Sequence, residues 1–154
     1  MTTSFRIVVV GAGAVGGYYA YKLAQTGCHI AVVCRSDYEI VRKEGFTIQT
    51  GGKTVSYRPD EVYKAIETIT YQPDLVIVTA KVLPQLDIPR LIRPLIGDQT
   101  AIALLQNGLN IEVPIKKAFP ETTLLSCVTH ICATRIGPGH IDHQWMGRVV
   151  IGHY

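Results

Sequence analysis

The chain has 154 residues, the size of one domain, and 47% of them are apolar against 18% charged, a balance that excludes a disordered chain and argues against a solvated helical bundle. Its formal net charge is +3, but lysine and arginine are scattered and not interleaved with aromatic residues, so nucleic acid is not an expected partner. Met1 to Arg6 carries one basic residue, and the apolar run that follows, Ile7 to Val10, is too short for a signal-peptide core or a membrane span.

Phe5 to Val10 is a β-branched run ending at glycine, the form of a strand buried on both faces. Ala14 to Gln25 then carries apolar residues at helical spacing (Val15, Tyr19, Leu23) and closes on Thr26-Gly27. His29 to Cys34 reads as a second buried strand, which completes a βαβ unit and requires the two strands to be parallel. Ser36-Asp37 is placed to cap a short helix through Lys43. Two alternating runs around Gly51-Gly52, from Phe46 to Tyr57, predict a β-hairpin at a sheet edge, inserted before the next parallel strand. That strand is Asp74 to Thr79, and Pro84 to Ile96 supplies a helical connection broken or delayed at Pro89. Thr100 to Leu105 is a further strand, and Asn110 to Phe119 a helix with Pro114 in its first turns. Beyond Thr122, three strand-like runs (Leu124 to Thr134, His140 to Trp145, Arg148 to His153) are joined by Gly137-Pro138-Gly139 and Met146-Gly147, predicting an antiparallel meander.

Cys28, Cys34, Cys127 and Cys132 form no CxxC pair and share no ligand spacing with the histidines, so free thiols in a reducing cytoplasm are expected. His140 and His143 lie three apart in an alternating segment and point to opposite strand faces, so no metal is expected between them.

The segment Gly11-Ala12-Gly13-Ala14-Val15-Gly16 carries the chemistry, because it follows a buried strand and opens a helix. Gly11 permits the tight turn, Gly13 lets backbone approach a pyrophosphate, and Gly16 lets helix and strand pack closely, while the helix N-terminus presents free N–H groups to the anion. The expected fold class is therefore α/β: a Rossmann-type dinucleotide-binding domain over residues 1–154, its parallel sheet extended by C-terminal antiparallel strands. At the end of the second strand, where an NAD-binding domain commonly places an acid, the sequence reads Cys34-Arg35-Ser36-Asp37. A guanidinium there pairs with an adenosine 2′-phosphate, and Ser36 can donate a further hydrogen bond, so NADP is the expected cofactor; Asp37 leaves some NAD binding open. Lys81 and Asn107 follow strands at their carboxyl ends, where open α/β sheets bind ligands. Spacing alone leaves each of them equally readable as an exposed loop lysine and an ordinary Asn-Gly turn.

Several ordered segments extend the pattern: Gly-Ala-Gly-Ala-Val-Gly-Gly at 11 to 17, Cys34-Arg35, Asp74 to Lys81, Leu105-Gln106-Asn107-Gly108, Val128-Thr129-His130, and Gly137-Pro138-Gly139-His140-Ile141. Across its whole length the chain resembles the ketopantoate reductases (2-dehydropantoate 2-reductases), within the wider 6-phosphogluconate dehydrogenase-like group of two-domain reductases. The resemblance implies NADPH-dependent reduction of ketopantoate to pantoate, on the way to pantothenate and coenzyme A, in the cytoplasm. It also implies that Lys81 and Asn107 line the cofactor and substrate cleft and that Cys132 lies near the cofactor. The family's proton-donating lysine belongs to a helical second domain outside this chain, so no catalytic residue is assigned here and the chain alone is not expected to turn over. More polypeptide is expected after Tyr154. The expected partners are a small-molecule 2-keto acid, shared with that second domain, and, as an open alternative, a second copy in a homodimer. Two other readings stay open: a standalone NADP-binding or interaction module, and a reductase of another 2-keto acid.

Overall fold

The computed structural model describes residues 4–154; Met1 to Thr3, the start of the amino-terminal stretch, lie outside the described residues. The chain opens with β1 (Arg6–Val10), α1 (Ala14–Ala24) and β2 (His29–Val33), the expected βαβ unit, with Val8 opposite Ala31 in a parallel register. Next come α2 (Tyr38–Glu44), the antiparallel hairpin of β3 (Phe46–Thr50) and β4 (Lys53–Tyr57), and a short β5 (Glu61–Tyr63). The second half contains β6 (Leu75–Val78), α3 (Ile88–Ile92), β7 (Ala101–Leu104), α4 (Glu112–Ala118), and two long strands, β8 (Leu124–Gly137) and β9 (His140–His153).

All nine strands form one sheet in the order β4-β3-β9-β8-β7-β6-β1-β2-β5. Six consecutive strands, from β5 at one edge through β2, β1, β6 and β7 to β8, are parallel throughout. Building starts at β1 and moves outward to β2 and β5, then returns to the other side of β1 for β6, β7 and β8. The direction of winding therefore reverses between β1 and β6, which is where open α/β sheets bind their ligands.

Alternation along β1 explains its all-apolar sequence. Ile7 and Val9 face a core with Tyr18, Tyr19, Ile30, Val32, Phe46 and Ile141, whereas Val8 and Val10 face a second core with Val76, Ile92, Leu95, Ile102 and Ile115. Helix α1 belongs to the first layer and α3 and α4 to the second, so the strand has no polar face. The β8–β9 strands and the β3 hairpin close over α1 through Gly17, where an added Cβ would meet the Ile141 and Phe46 side chains.

Several expectations are corrected. The meander is a two-stranded hairpin, because Met146-Gly147 is a bulge rather than a turn: both residues have positive φ, 63° and 121°, and β9 resumes pairing with β8 on either side of them. The hairpin of β3 and β4 does lie at an edge, but at the far end of the sheet from β5, with β3 parallel to β9. Strand β5 was not expected; its three residues are too few to show a period. Of the two expectations at Pro89, the delayed helix is the observed one: α3 starts at Ile88, with Pro89 in its first turn, where a missing N–H costs nothing. Asp37 occupies the cap position of α2, yet its carboxylate makes no capping bond and is engaged elsewhere.

All four cysteines are free, and no cluster of potential metal ligands occurs among the described residues. His140 and His143 have separate partners, Pro138 for the first and Thr50 and Met146 for the second. Among the described residues no helix is long and apolar enough to cross a membrane.

Candidate cofactor site

The site is built from backbone first. The Val33 carbonyl, at the end of β2, accepts the N–H groups of Gly11 and Ala12 at 3.1 and 3.0 Å. On the other side, the Val10 carbonyl accepts the N–H groups of Thr79 and Ala80 at 2.9 and 3.1 Å. The loop after β1 is thus clamped between the ends of β2 and β6. Within it the Gly13 N–H turns back to the Gly11 carbonyl at 2.7 Å, and α1 begins with the Gly17 N–H on the Gly13 carbonyl at 2.8 Å.

The three glycines differ in what surrounds them. Gly11 has φ +91°, and an added Cβ would lie 2.5 Å from the Ala80 nitrogen, so only glycine lets the two loops touch. At Gly16 a Cβ would overlap the Thr79 hydroxyl and crowd the Gly11 carbonyl. At Gly13 it would find nothing nearer than the Gly11 carbonyl oxygen, 4.0 Å away. The open side of Gly13 is the space a pyrophosphate needs for close approach to backbone. Gly13 offers no side-chain cap and the first turn of α1 carries no acid, so no side chain of this turn serves the amides at the helix end. Ala12 is buried beneath the loop, and Ala14 and Val15 are half-buried in the first turn.

Arg35, Lys81 and Asn107 stand at the carboxyl ends of β2, β6 and β7, on the same edge of the sheet as the glycine loop. All three are exposed, and none makes an ion pair among the described residues. An apolar cleft of about 200 Å³ opens beside Lys81 and Asn107, lined by Val82, Leu86, Ile88, Gln106, Ile111 and Ile115. Cys132 is exposed on β8 opposite Trp145, with its thiol donating to Gln144 Oε1 at 2.8 Å.

Asp37 is not an open ribose ligand. Its carboxylate is buried and takes both Arg135 Nε (2.7 Å) and Nη2 (2.5 Å), the Gly139 N–H (3.1 Å) and the Ser36 hydroxyl (3.0 Å). The Arg135 hydrogen bonds, against the cost of burial, hold its carboxyl below the usual aspartate range. Beside it, burial and then the Asp37 charge push the Cys34 thiol up to about 12, so this cysteine is an unreactive thiol at neutral pH.

Two positioning side chains were not singled out from sequence. Thr79 donates its hydroxyl to the Gly11 carbonyl at 2.9 Å, and Gln106 donates its amide to the Ala80 carbonyl, tying the end of β7 to the end of β6. The signal for both was position: each is a polar residue closing an apolar strand, one step before a candidate ligand-binding loop.

Known proteins share this arrangement. Residues 7–154 match the family model described as Ketopantoate reductase PanE/ApbA. The chain belongs to that family. A 2-dehydropantoate 2-reductase from Nostoc is 27% identical over 149 residues, which make up 97% of this chain and 46% of the relative. The crystal structure of 2-dehydropantoate 2-reductase from Methylococcus capsulatus superposes with a TM-score of 0.90 at 36% identity, covering 97% of this chain and 48% of the other. D-mandelate dehydrogenase, in its ternary structure with NADH and anilino(oxo)acetate, gives a TM-score of 0.85 at 25% identity, covering 95% of this chain and 47% of the other. The chain thus spans about half the length of the relatives it matches. Within the family, the fold class read from the glycine motif and its flanking elements is the observed one: a mainly parallel α/β sheet continued by antiparallel strands.

Proposed function

We propose that this chain is the NADPH-binding half of a ketopantoate-reductase-type enzyme, in which the glycine loop of residues 11–16 holds the pyrophosphate and Arg35 holds the adenosine 2′-phosphate. The observation that carries the cofactor choice is the state of the two residues that could compete for it. Arg35 is exposed and unpaired among the described residues, while Asp37, the acid through which NAD could be preferred, is already saturated. A free guanidinium with no carboxylate beside it favours the doubly charged phosphate over a ribose hydroxyl.

Bound there, the nicotinamide supplies hydride to the carbonyl carbon of a 2-keto acid. The chain's own residues bind and orient. The α1 amides hold the central pyrophosphate and Arg35 the adenosine 2′-phosphate, and Asn107 is placed to fix the nicotinamide ribose or a substrate hydroxyl. Lys81 contributes positive charge toward the substrate carboxylate or developing alkoxide. By resemblance to the family, whose proton-donating lysine lies in a second domain, we assign the proton for that alkoxide to a residue outside these 154.

Nicotinamide fluorescence during titration with NADPH and NADH tests the reading. Preference for NADPH is expected, and Arg35→Ala should weaken NADPH by about 1–3 kcal/mol with little change for NADH. Equal or absent binding of the two by the unaltered protein overturns it. A second reading, reduction of another 2-keto acid, is favoured by the similarity to D-mandelate dehydrogenase with its anilino(oxo)acetate ligand; turnover of a keto-acid panel by the whole enzyme separates the two.

A further inference from the structure

We infer that Asp37 and Arg135 are positioning residues for cofactor selectivity: the Arg135–Asp37–Gly139 clamp sets the segment that presents Arg35 to the 2′-phosphate. The inference rests on the NADP reading of Arg35.

The geometry is that of a short span held at both ends. Val33 is fixed by the two glycine-loop amides, and Cys34 is buried with its N–H on the Tyr63 carbonyl at 3.0 Å. Three residues later the Asp37 side chain is only 5% exposed and is gripped by the guanidinium fork of Arg135, which comes from β8, 98 residues along the chain. Only Arg35 and Ser36 lie exposed between these anchors, and the Ser36 hydroxyl is turned back onto Asp37 at 3.0 Å. The backbone carrying Arg35 therefore has little freedom, and its side chain is the free donor of the segment.

A fork-to-carboxylate pair fixes direction as well as distance, which a single hydrogen bond does not. The Gly139 N–H adds a third fixed contact from the β8–β9 turn. That turn packs on α2 as well, since an added Cβ at Gly139 would come within 3.2 to 3.5 Å of Ile40 and Val41. Without the clamp the span between Cys34 and α2 is free to sample other conformations, and binding of the 2′-phosphate then has to order it. On the same reading the pyrophosphate lies on the glycine loop and the nicotinamide ribose near Asn107, and the clamp touches neither. Loss of the clamp should accordingly fall on what distinguishes NADPH from NADH, not on dinucleotide binding as a whole.

The test compares the unaltered chain with Arg135→Met, Arg135→Lys and Asp37→Asn, measuring dissociation constants for NADPH, NADH, 2′,5′-ADP and 5′-AMP, with far-UV circular dichroism to establish folding. Arg135→Met is expected to weaken NADPH and 2′,5′-ADP about tenfold while NADH and 5′-AMP change by less than about twofold. Asp37→Asn should move in the same direction, and Arg135→Lys, which keeps the charge but not the fork, should lie between. If Arg135→Met fails to fold, the Arg135→Lys and Asp37→Asn ratios decide alone. Loss of NADPH and NADH in equal measure, or an unchanged ratio, overturns the inference. So does tighter NADPH binding by Asp37→Asn, because a freed Arg135 would then be acting as a phosphate ligand itself. An unaltered chain that prefers neither NADPH nor 2′,5′-ADP overturns the NADP reading, and this inference with it, before any variant is compared.

Discussion

Thr79, at the end of β6, donates its hydroxyl to the carbonyl oxygen of Gly11, at the end of the neighbouring β1, at 2.9 Å. The same hydroxyl reaches the Val10 carbonyl at 3.2 Å, so one side chain braces both residues where the first strand gives way to the glycine loop. Thr79→Val keeps the shape and removes the donor. It should lower stability by about 1 kcal/mol and weaken the dinucleotide several-fold, whereas Thr79→Ser should retain both properties. Denaturant melts and NADPH titration check it; a valine variant with unchanged binding removes Thr79 from the site.

Gly13 and Gly16 should separate cleanly on alanine substitution. A methyl at Gly13 points into open space, so Gly13→Ala should cost no more than about 1 kcal/mol of stability yet lose dinucleotide affinity. At Gly16 the methyl overlaps Thr79 and crowds Val9, so Gly16→Ala should lose about 1–3 kcal/mol of stability as well. Thermal melts with and without NADPH distinguish the two, and equal loss of stability in both variants contradicts the assignment of separate roles.

Lys81 and Asn107 stand exposed at the ends of β6 and β7, so their removal should cost the fold little. Lys81→Met and Asn107→Ala are expected to leave the melting temperature within the error of the parent and to weaken cofactor or substrate by about 1–3 kcal/mol each. A variant that melts early while binding normally would show that the side chain serves structure.

At the opposite edge of the sheet, Glu61 predicts a pH dependence. Its carboxylate accepts the Tyr63 hydroxyl, the Tyr71 hydroxyl at 3.1 Å and His29 Nε2 at 2.9 Å, with Arg6 at 3.6 Å. Burial pushes the carboxyl up, but the hydrogen bonds from Tyr63, His29 and Tyr71 and the charge on His29 outweigh it, and the net direction is down. A depressed folded-state value means that the ionised group stabilises the fold above the ordinary glutamate pKa of about 4.3 and loses that contribution as pH falls through the lower folded value. Glu61→Gln should therefore cost about 1–2 kcal/mol at pH 7, and the gap between variant and parent should close on acidification. Urea unfolding across the acidic range measures it; a gap that widens toward low pH contradicts the sign.

Legibility from sequence followed the range of the interactions. The βαβ unit, the Gly51-Gly52 hairpin and the strands at β6 and β7 announce themselves because period, glycine turns and β-branched runs act over a few residues. Strand β5 stays hidden, since Glu-Val-Tyr gains its order from pairing with Ala31 to Val33 and not from its own pattern. Met146-Gly147 reads as a turn because both turns and bulges call on positive φ, and only the pairing across β8 distinguishes them. Asp37 was the largest miss at the site. Local context made it a helix cap and a ribose acid, and the partner that settles its role lies 98 residues away.

The first strand ends up inside the sheet, with β2 on one flank and β6, nearly 70 residues later, on the other. Synthesis from the amino terminus therefore delivers the glycine motif early and its opposite wall late. Until residues 75–78 arrive, one edge of β1 stays open with its backbone groups unpaired, a template for wrong pairing. A chain cut before residue 75 would keep every glycine of the motif and have nowhere for a dinucleotide to lie.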